Sequence, residues 1–254
     1  MPDILVINPN TTQAMTDDIG RGARAVAASD TVIEAISPAA GPRSIEGFTD
    51  EVLASYHLVD AVASARGKYD GIIIACYGDP ALAACREVAD VPVVGIAEAS
   101  FHMACLVAHK WSVVTVLPRI LPLIEEVVHR NGLERRCASV RSAPLTVLEI
   151  EADLERAKRL MIVEAANAVE EDAAEAILLG CAGLGPLDKA MQAELGVPVF
   201  DGTACAVKLV ESLLAYGVTT SRVAAYQRPE RKELVDCPAS LAPIYERPAE
   251  PTAV

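Results

Sequence analysis

Two cysteines stand in the same local setting in the two halves of the chain. Cys76 follows the apolar run of Gly71-Ile-Ile-Ile-Ala-Cys-Tyr-Gly-Asp-Pro80, and Cys181 follows that of Ala176-Ile-Leu-Leu-Gly-Cys-Ala-Gly-Leu-Gly-Pro186. In each, a strand-like segment delivers the thiol, a glycine follows two residues later (Gly78, Gly183), and a proline comes next in Asp79-Pro80 and Gly185-Pro186. Both dipeptides read as an N-cap followed by proline at the first helical position. Unpaired amides and the positive dipole end are then expected to draw each thiol pKa down toward neutrality, and the same amides suit a developing oxyanion. Inverting a carbon stereocentre needs an acid on one face and a base on the other, interchangeable in role, and two thiols facing each other supply both without a cofactor. The pattern predicts a two-base racemase or epimerase with Cys76 and Cys181 catalytic. The alternative is two core cysteines at strand ends. A Cys/His hydrolase has little support, because His57, His102, His109 and His129 all fall in expected helices away from strand ends.

The elements that must position these thiols repeat as well. Ile4–Ile7 reads as a short buried strand, followed by Asn8-Pro-Asn-Thr-Thr12 and a helix through about Ala28. Thr31–Ile36 is expected as strand two, Ile45–Ala65 as a helix, Gly71–Ala75 as strand three, Pro80–Val88 as a helix and Val91–Ile96 as strand four. The order restarts with strands at Val113–Leu117 and Ala138–Arg141, a helix from about Ala152 to Glu170, strand Ala176–Leu179, a short helix after Pro186 and strand Val197–Phe200. Such alternation predicts an α/β fold of two pseudo-twofold-related lobes, each a four-stranded parallel sheet flanked by helices, with the active site in the cleft between them. Ligands of open α/β sheets bind at the carboxyl ends of the strands, where both thiols fall. The helix Thr203–Tyr216 is expected to return over the first lobe. Lobe one is then 1–98 plus 203–227, lobe two 99–202, and 228–254 a tail whose prolines at 229, 238, 243, 248 and 251 predict extended chain.

Composition narrows the function. The 254 residues are 52% apolar but only 4% aromatic, enough for a sizeable core of Ala, Val, Leu and Ile and too apolar for disorder. The longest apolar runs fall well short of the roughly 20 residues of a membrane-spanning helix. No signal-like start is evident, so the cytoplasm is the expected compartment. A net charge of −13 with no Lys/Arg-rich run argues against nucleic acid and anionic lipid. Small molecules, or copies of the same chain in a homo-oligomer, are the expected partners. Seven cysteines without any Cys-x-x-Cys give neither a disulfide framework nor a metal site. Cys85, Cys105, Cys137, Cys205 and Cys237, like Trp111, are expected in packing or incidental roles.

Ile7-Asn-Pro-Asn-Thr-Thr12, Ser44-Ile-Glu-Gly47, Ala75-Cys-Tyr-Gly-Asp-Pro80, Gly95-Ile-Ala-Glu-Ala99 and Leu179-Gly-Cys-Ala-Gly183 together resemble the hydantoin and allantoin racemase branch of the aspartate/glutamate racemase superfamily. The resemblance runs from about residue 3 to residue 216. It implies Rossmann-like lobes, proton transfer by two cysteines without a cofactor, and a 5-substituted hydantoin as substrate. In relatives that racemise acidic amino acids the cysteines are usually followed closely by Thr, whereas here Tyr77-Gly78 and Ala182-Gly183 follow. No Lys or Arg occurs in 1–20, 71–85, 91–101 or 176–188, so the expected cleft lining suits a neutral ring. This sequence departs from the branch at Ala81 and Ala97, where Gly is frequent, at Tyr77 for Phe and at Leu184 for Met, and it adds Arg43 before Ser44-Ile-Glu46. These changes put the 5-substituent in doubt, and Arg43 leaves room for an anionic one. Asn8, Asn10, Thr11 and Thr12 are placed to hold the ring's N–H and C=O edges, Thr11 or Thr12 doubling as the N-cap of the first helix. The residues flanking the thiols, Tyr77, Gly78, Asp79, Ala182 and Gly183, complete the expected binding set. Glu46, Glu98 and Asp201 follow strand ends and are secondary candidates. An arylmalonate-type decarboxylase, an amino-acid racemase of the same superfamily, and a non-catalytic two-lobed binding protein are the rival readings.

Overall fold

The computed structural model describes residues 1–246. The first half runs β1 (Asp3–Ile7), α1 (Gln13–Val26), β2 (Val32–Ile36), α2 (Phe48–Ser64), β3 (Gly71–Ile74), α3 (Leu82–Val88), β4 (Val93–Gly95) and α4 (Ile96–Ala104). The second repeats it with β5 (Trp111–Val116), α5 (Leu121–Arg130), β6 (Cys137–Ala143), α6 (Val147–Ala152), α7 (Leu154–Glu171), β7 (Ala176–Leu179), α8 (Asp188–Leu195), β8 (Val199–Asp201) and α9 (Gly202–Tyr216). The strand orders, β2-β1-β3-β4 and β6-β5-β7-β8, are the same, and every pairing is parallel. This is the expected architecture. The repeat in sequence is a repeat in topology.

Parallel strands covered on both faces must be apolar throughout, and β1 shows how. Ile4 and Val6 enter a core cluster that continues into the second sheet through Val113, Val114 and Ile177, while Leu5 and Ile7 turn to a separate cluster under α2 and α3. α9 runs back over α1, α4 and β3, with Val210 filling the space a side chain at Gly71 would need. At its start, a Cβ on Gly202 would sit 2.6 Å from the Ile96 carbonyl oxygen, so the helices that follow the two fourth strands meet backbone to backbone.

Four expectations are corrected. Pro80 does not begin a helix: Asp79 and Ala81 both have positive φ (44° and 49°), and α3 starts only at Leu82. Gly185 and Pro186 lie inside a 3-10 turn, Ala182–Leu187, whose N-cap is Cys181 itself. His109 sits in a loop before β5, at the amino end of that strand, rather than in a helix. The tail is not uniformly extended, since Ala242–Glu246 forms α10 with Pro243 in its first turn, where no backbone N–H is needed. Leu241, Ile244 and Tyr245 pack on the cluster under α2, and the Ser240 hydroxyl bonds Asp60. Pro248 and Pro251 lie outside the described residues. Among the described residues no helix is long and apolar enough to cross a membrane.

Candidate active site

Each sheet presents the carboxyl end of its third strand to the other, and the loops that follow form the two sides of one cleft of about 570 Å³, its open mouth included. Asn8, Asn10, Met15, Ile45 and the segment 75–78 line it from the first lobe. Val116, Ile120, Leu123, Ile124, Val147 and the segment 180–182 line it from the second. Cys76 and Cys181 are therefore brought into one site, both half-buried and neither in a disulfide.

The two thiols have matched surroundings. The Gly78 amide donates to the Cys76 sulfur and the Gly183 amide to that of Cys181, and each bond draws its thiol pKa down. Burial nevertheless outweighs these bonds, pushing Cys76 up to about 12 and Cys181 to about 11. Negative charge on Cys181, Glu51 and Asp79 adds to the upward shift of Cys76, and Glu46 adds to that of Cys181. The expected lowering by helix starts is thus overturned, because the helix after Cys76 begins too late and burial dominates.

Asn8 and Asn10 reach the cleft on a tightly bonded loop. Asn8 Nδ2 donates to Asn10 Oδ1 (2.9 Å) and Thr16 Oγ1 (3.0 Å), and Asn10 Oδ1 also accepts from the Thr12 amide (2.9 Å). Thr11 and Thr12 stand behind this loop. Their hydroxyls donate to the carbonyls of Pro42 and Arg43, so Thr12, though in the N-cap position of α1, makes no side-chain cap. Only the carbonyl of Arg43 enters this network, and its side chain does not line the cleft.

Glu46 crosses between the lobes, its Oε1 accepting from the Val147 amide (3.1 Å). Neither Glu98 nor Asp79 lines the cleft, although Asp79 is near enough to raise Cys76. Glu98 pairs with Arg86 over a separate polar cavity, and Asp79 is buried with its carboxyl accepting from the Ala97 and Glu98 amides at the start of α4. Asp201 does the same for Thr203 and Ala204 at the start of α9. Tyr77 lines the cleft, but its hydroxyl is tied to Ser100 and its ring stands edge-on to Phe101, which stacks on Trp111.

Several cleft residues escape sequence reasoning. Met15, Val116, Ile120, Leu123, Ile124 and Val147 look like ordinary core positions along the chain, and Glu51, close to Cys76 though outside the lining, like an acid in a first helical turn. Arg130 was missed as well: from outside the lining it reaches from α5 to donate to the Gly78 carbonyl (3.0 Å) beside Cys76. Among the described residues there is no group of three or more His, Cys, Asp or Glu side chains able to hold a metal ion. Two half-buried thiols facing one apolar cleft, each on a glycine amide, can take a proton from one side of a bound carbon and return one from the other.

Comparison with known proteins identifies the family. A family model described as Asp/Glu/Hydantoin racemase matches residues 4–210. A hydantoin racemase of Pseudomonas sp. (strain NS671) is 46% identical over 235 residues, covering 91% of this chain and 94% of that one. A hydantoin racemase of Paenarthrobacter aurescens is 43% identical, covering 91% and 98%. The solved structure of an allantoin racemase from Klebsiella pneumoniae superposes with a TM-score of 0.91 at 43% identity, covering 96% of this chain and 99% of its own.

Proposed function

The chain belongs to the Asp/Glu/hydantoin racemase family, and we propose that within it this protein racemises 5-substituted hydantoins, allantoin among the candidates, by cofactor-independent proton transfer between Cys76 and Cys181. The observation that carries this reading is the pair of thiols lining one cleft from opposite lobes. One cysteine, as thiolate, removes the proton from the ring carbon between a ring nitrogen and the C4 carbonyl. The electron pair moves into that carbonyl as an enolate, which polar groups of the Asn8–Asn10 loop stabilise. The other cysteine, as thiol, delivers its proton to the opposite face and becomes the thiolate, so the charge of the pair is unchanged and the roles are exchanged for the next turnover. Thiols raised to about 12 and 11 by the same cause are close enough in basicity to trade roles.

No Lys or Arg lines the cleft among the described residues, so a malonate or an acidic amino acid has no counter-ion there. Self-association remains part of the proposal. Phe48, Val52, Leu53 and Tyr56 leave α2 with an exposed apolar stripe of the kind that buries itself against another copy.

Deuterium incorporation tests the mechanism. Because the two enantiomers are equal in energy, kcat/KM must be the same in both directions for every variant, and rates alone cannot assign the bases. In D2O the wild type is expected to label each enantiomer as it inverts it. Cys76→Ser and Cys181→Ser are each expected to lose roughly a thousandfold or more in racemisation, within the range assigned to a positioned acid or base, while still exchanging the proton of one enantiomer only, and of opposite enantiomers in the two variants. Exchange of both enantiomers by either variant would sink the two-base mechanism.

A further inference from the structure

We infer that Arg130 is a positioning residue for the Cys76 half of the reaction alone: it holds the loop of that thiol from the opposite lobe, while the matching position for Cys181 is Gly22. The inference rests on the racemase reading above and gives its two proton transfers unequal support. Gly78 has no side chain to anchor it, yet its amide must point at the Cys76 sulfur. Arg130 Nη2 donates to the carbonyl of the same residue at 3.0 Å, so holding one end of Gly78 aims the other. The residues that follow make such a hold necessary. Asp79 and Ala81 adopt positive φ, which is unfavourable outside glycine and persists only where the surroundings impose it. Asp79 is held by the start of α4 in its own lobe, and Gly78 by α5 of the other.

The duplication supplies the comparison. α1 and α5 each follow the first strand of their lobe, and each packs on the thiol loop of the other lobe. A Cβ on Gly78 would lie 3.0 Å from Leu123 of α5, and one on Gly183 would lie 3.7 Å from Met15 of α1, so Leu123 and Met15 are equivalent. Seven residues beyond Leu123 stands Arg130. Seven beyond Met15 stands Gly22, where a Cβ would find nothing within 4 Å. The Cys181 loop has less need of a hold, because Ala182–Leu187 is a 3-10 turn without positive φ, and the Leu184 amide donates to the Cys181 carbonyl at 3.0 Å. Charge follows the same division. Burial raises Glu51 and Asp79, both bordering Cys76, and the Arg130 guanidinium opposes the rise in each.

The test examines each thiol alone, since equal kcat/KM in the two directions hides any imbalance in the wild type. With 5-isobutylhydantoin or allantoin in D2O, Cys181→Ser leaves Cys76 to exchange one enantiomer, and Cys76→Ser leaves Cys181 to exchange the other. Arg130→Met keeps the length of the side chain and loses its donors. It is expected to slow exchange about tenfold in the Cys181→Ser protein, the worth of one hydrogen bond near a charged group, and less than about twofold in the Cys76→Ser protein. Arg130→Lys, which can still donate to the Gly78 carbonyl, is expected to restore most of the loss. Slowing that is absent, equal in both proteins or larger in the Cys76→Ser protein would overturn the inference and leave the racemase reading standing. Exchange of neither hydantoin by the wild type would overturn the racemase reading. Wherever a cysteine variant exchanges nothing, alkylation by iodoacetamide, mapped by mass spectrometry, decides instead. Only a thiolate reacts, so Arg130→Met is expected to slow Cys76 about tenfold relative to Cys181. An unchanged ratio, or a faster Cys76, would overturn the inference.

Discussion

A thiol is a useful base toward carbon only as the thiolate, and both candidate bases here are held mostly protonated. Burial pushes Cys76 to about 12 and Cys181 to about 11, against the help of the Gly78 and Gly183 amides. On the proposed mechanism the active free enzyme is the singly ionised pair, one thiolate and one thiol. Since ordinary assay pH lies well below both values, each unit of added pH raises the population of that form about tenfold. We therefore expect log kcat/KM to climb with a slope near one between about pH 6.5 and 8.5, without a plateau. Measured on 5-isobutylhydantoin, a flat profile across that range would show that the thiolate is stabilised far more than the cleft allows. The positions of the two cysteines were legible in the sequence because the chain repeats their surroundings. Their basicity was not, because it depends on how deeply two loops are covered, and the covering side chains, Leu123, Ile124 and Val147 among them, carry no mark of that duty along the chain.

The elements that carry the thiol loops are stapled by the same device in both lobes, with its parts exchanged. In the first lobe Asp79, from the loop after Cys76, caps the Ala97 and Glu98 amides, and Gly95 ends β4. In the second Asp201 ends β8 and caps Thr203 and Ala204, and Gly185 occupies the loop position that matches Asp79. Each glycine makes room for the other residue's carboxyl: a Cβ on Gly95 would overlap Asp79, and one on Gly185 would lie 3.0 Å from Asp201 Cγ. Sequence reasoning took Asp79-Pro80 and Gly185-Pro186 as helix starters, since a cap that acts on a distant helix looks the same in one dimension as a local one. The exchange makes a double-variant test available. Asp79→Gly removes the cap, at about 1 kcal/mol or more, and Gly95→Asp crowds the native carboxylate. The double variant recreates the arrangement of the second lobe and relieves the positive φ of residue 79. Urea denaturation should show both single variants destabilised and the pair coupled favourably by about 1–3 kcal/mol. Additive losses would mean that the two carboxyls do not serve equivalent roles.

At the scale of the whole molecule, two sheets with separate strand orders do not amount to two separate cores. The larger apolar cluster contains Ile4, Val6 and Ile73 of the first sheet together with Val113, Val114 and Ile177 of the second, and the stack of Phe101 on Trp111, 4.9 Å between ring centres, bridges α4 to β5. Two polar bonds cross at the cleft itself, Glu46 to the Val147 amide and Arg130 to the Gly78 carbonyl. The duplicated order of elements could be read from hydrophobic periodicity, and with it the lobes and the cleft. The continuity of the core could not, because periodicity gives the face a residue turns inward but not which lobe meets it. The helix α5, which supplies Leu123, Ile124 and Arg130, was expected only as the helix that holds His129, with no bounds and no part in the cleft. A core continuous across the lobes should unfold as one unit despite the chain's length. Trp111, the chain's single tryptophan, is fully buried in that shared cluster and reports on it directly. Urea unfolding followed by Trp111 fluorescence is expected to coincide in midpoint with unfolding followed by far-ultraviolet circular dichroism, which averages over both sheets. Should the fluorescence change precede a separate loss of ellipticity, the lobes would be melting independently. The cleft would then be free to open by lobe separation rather than fixed by a common core.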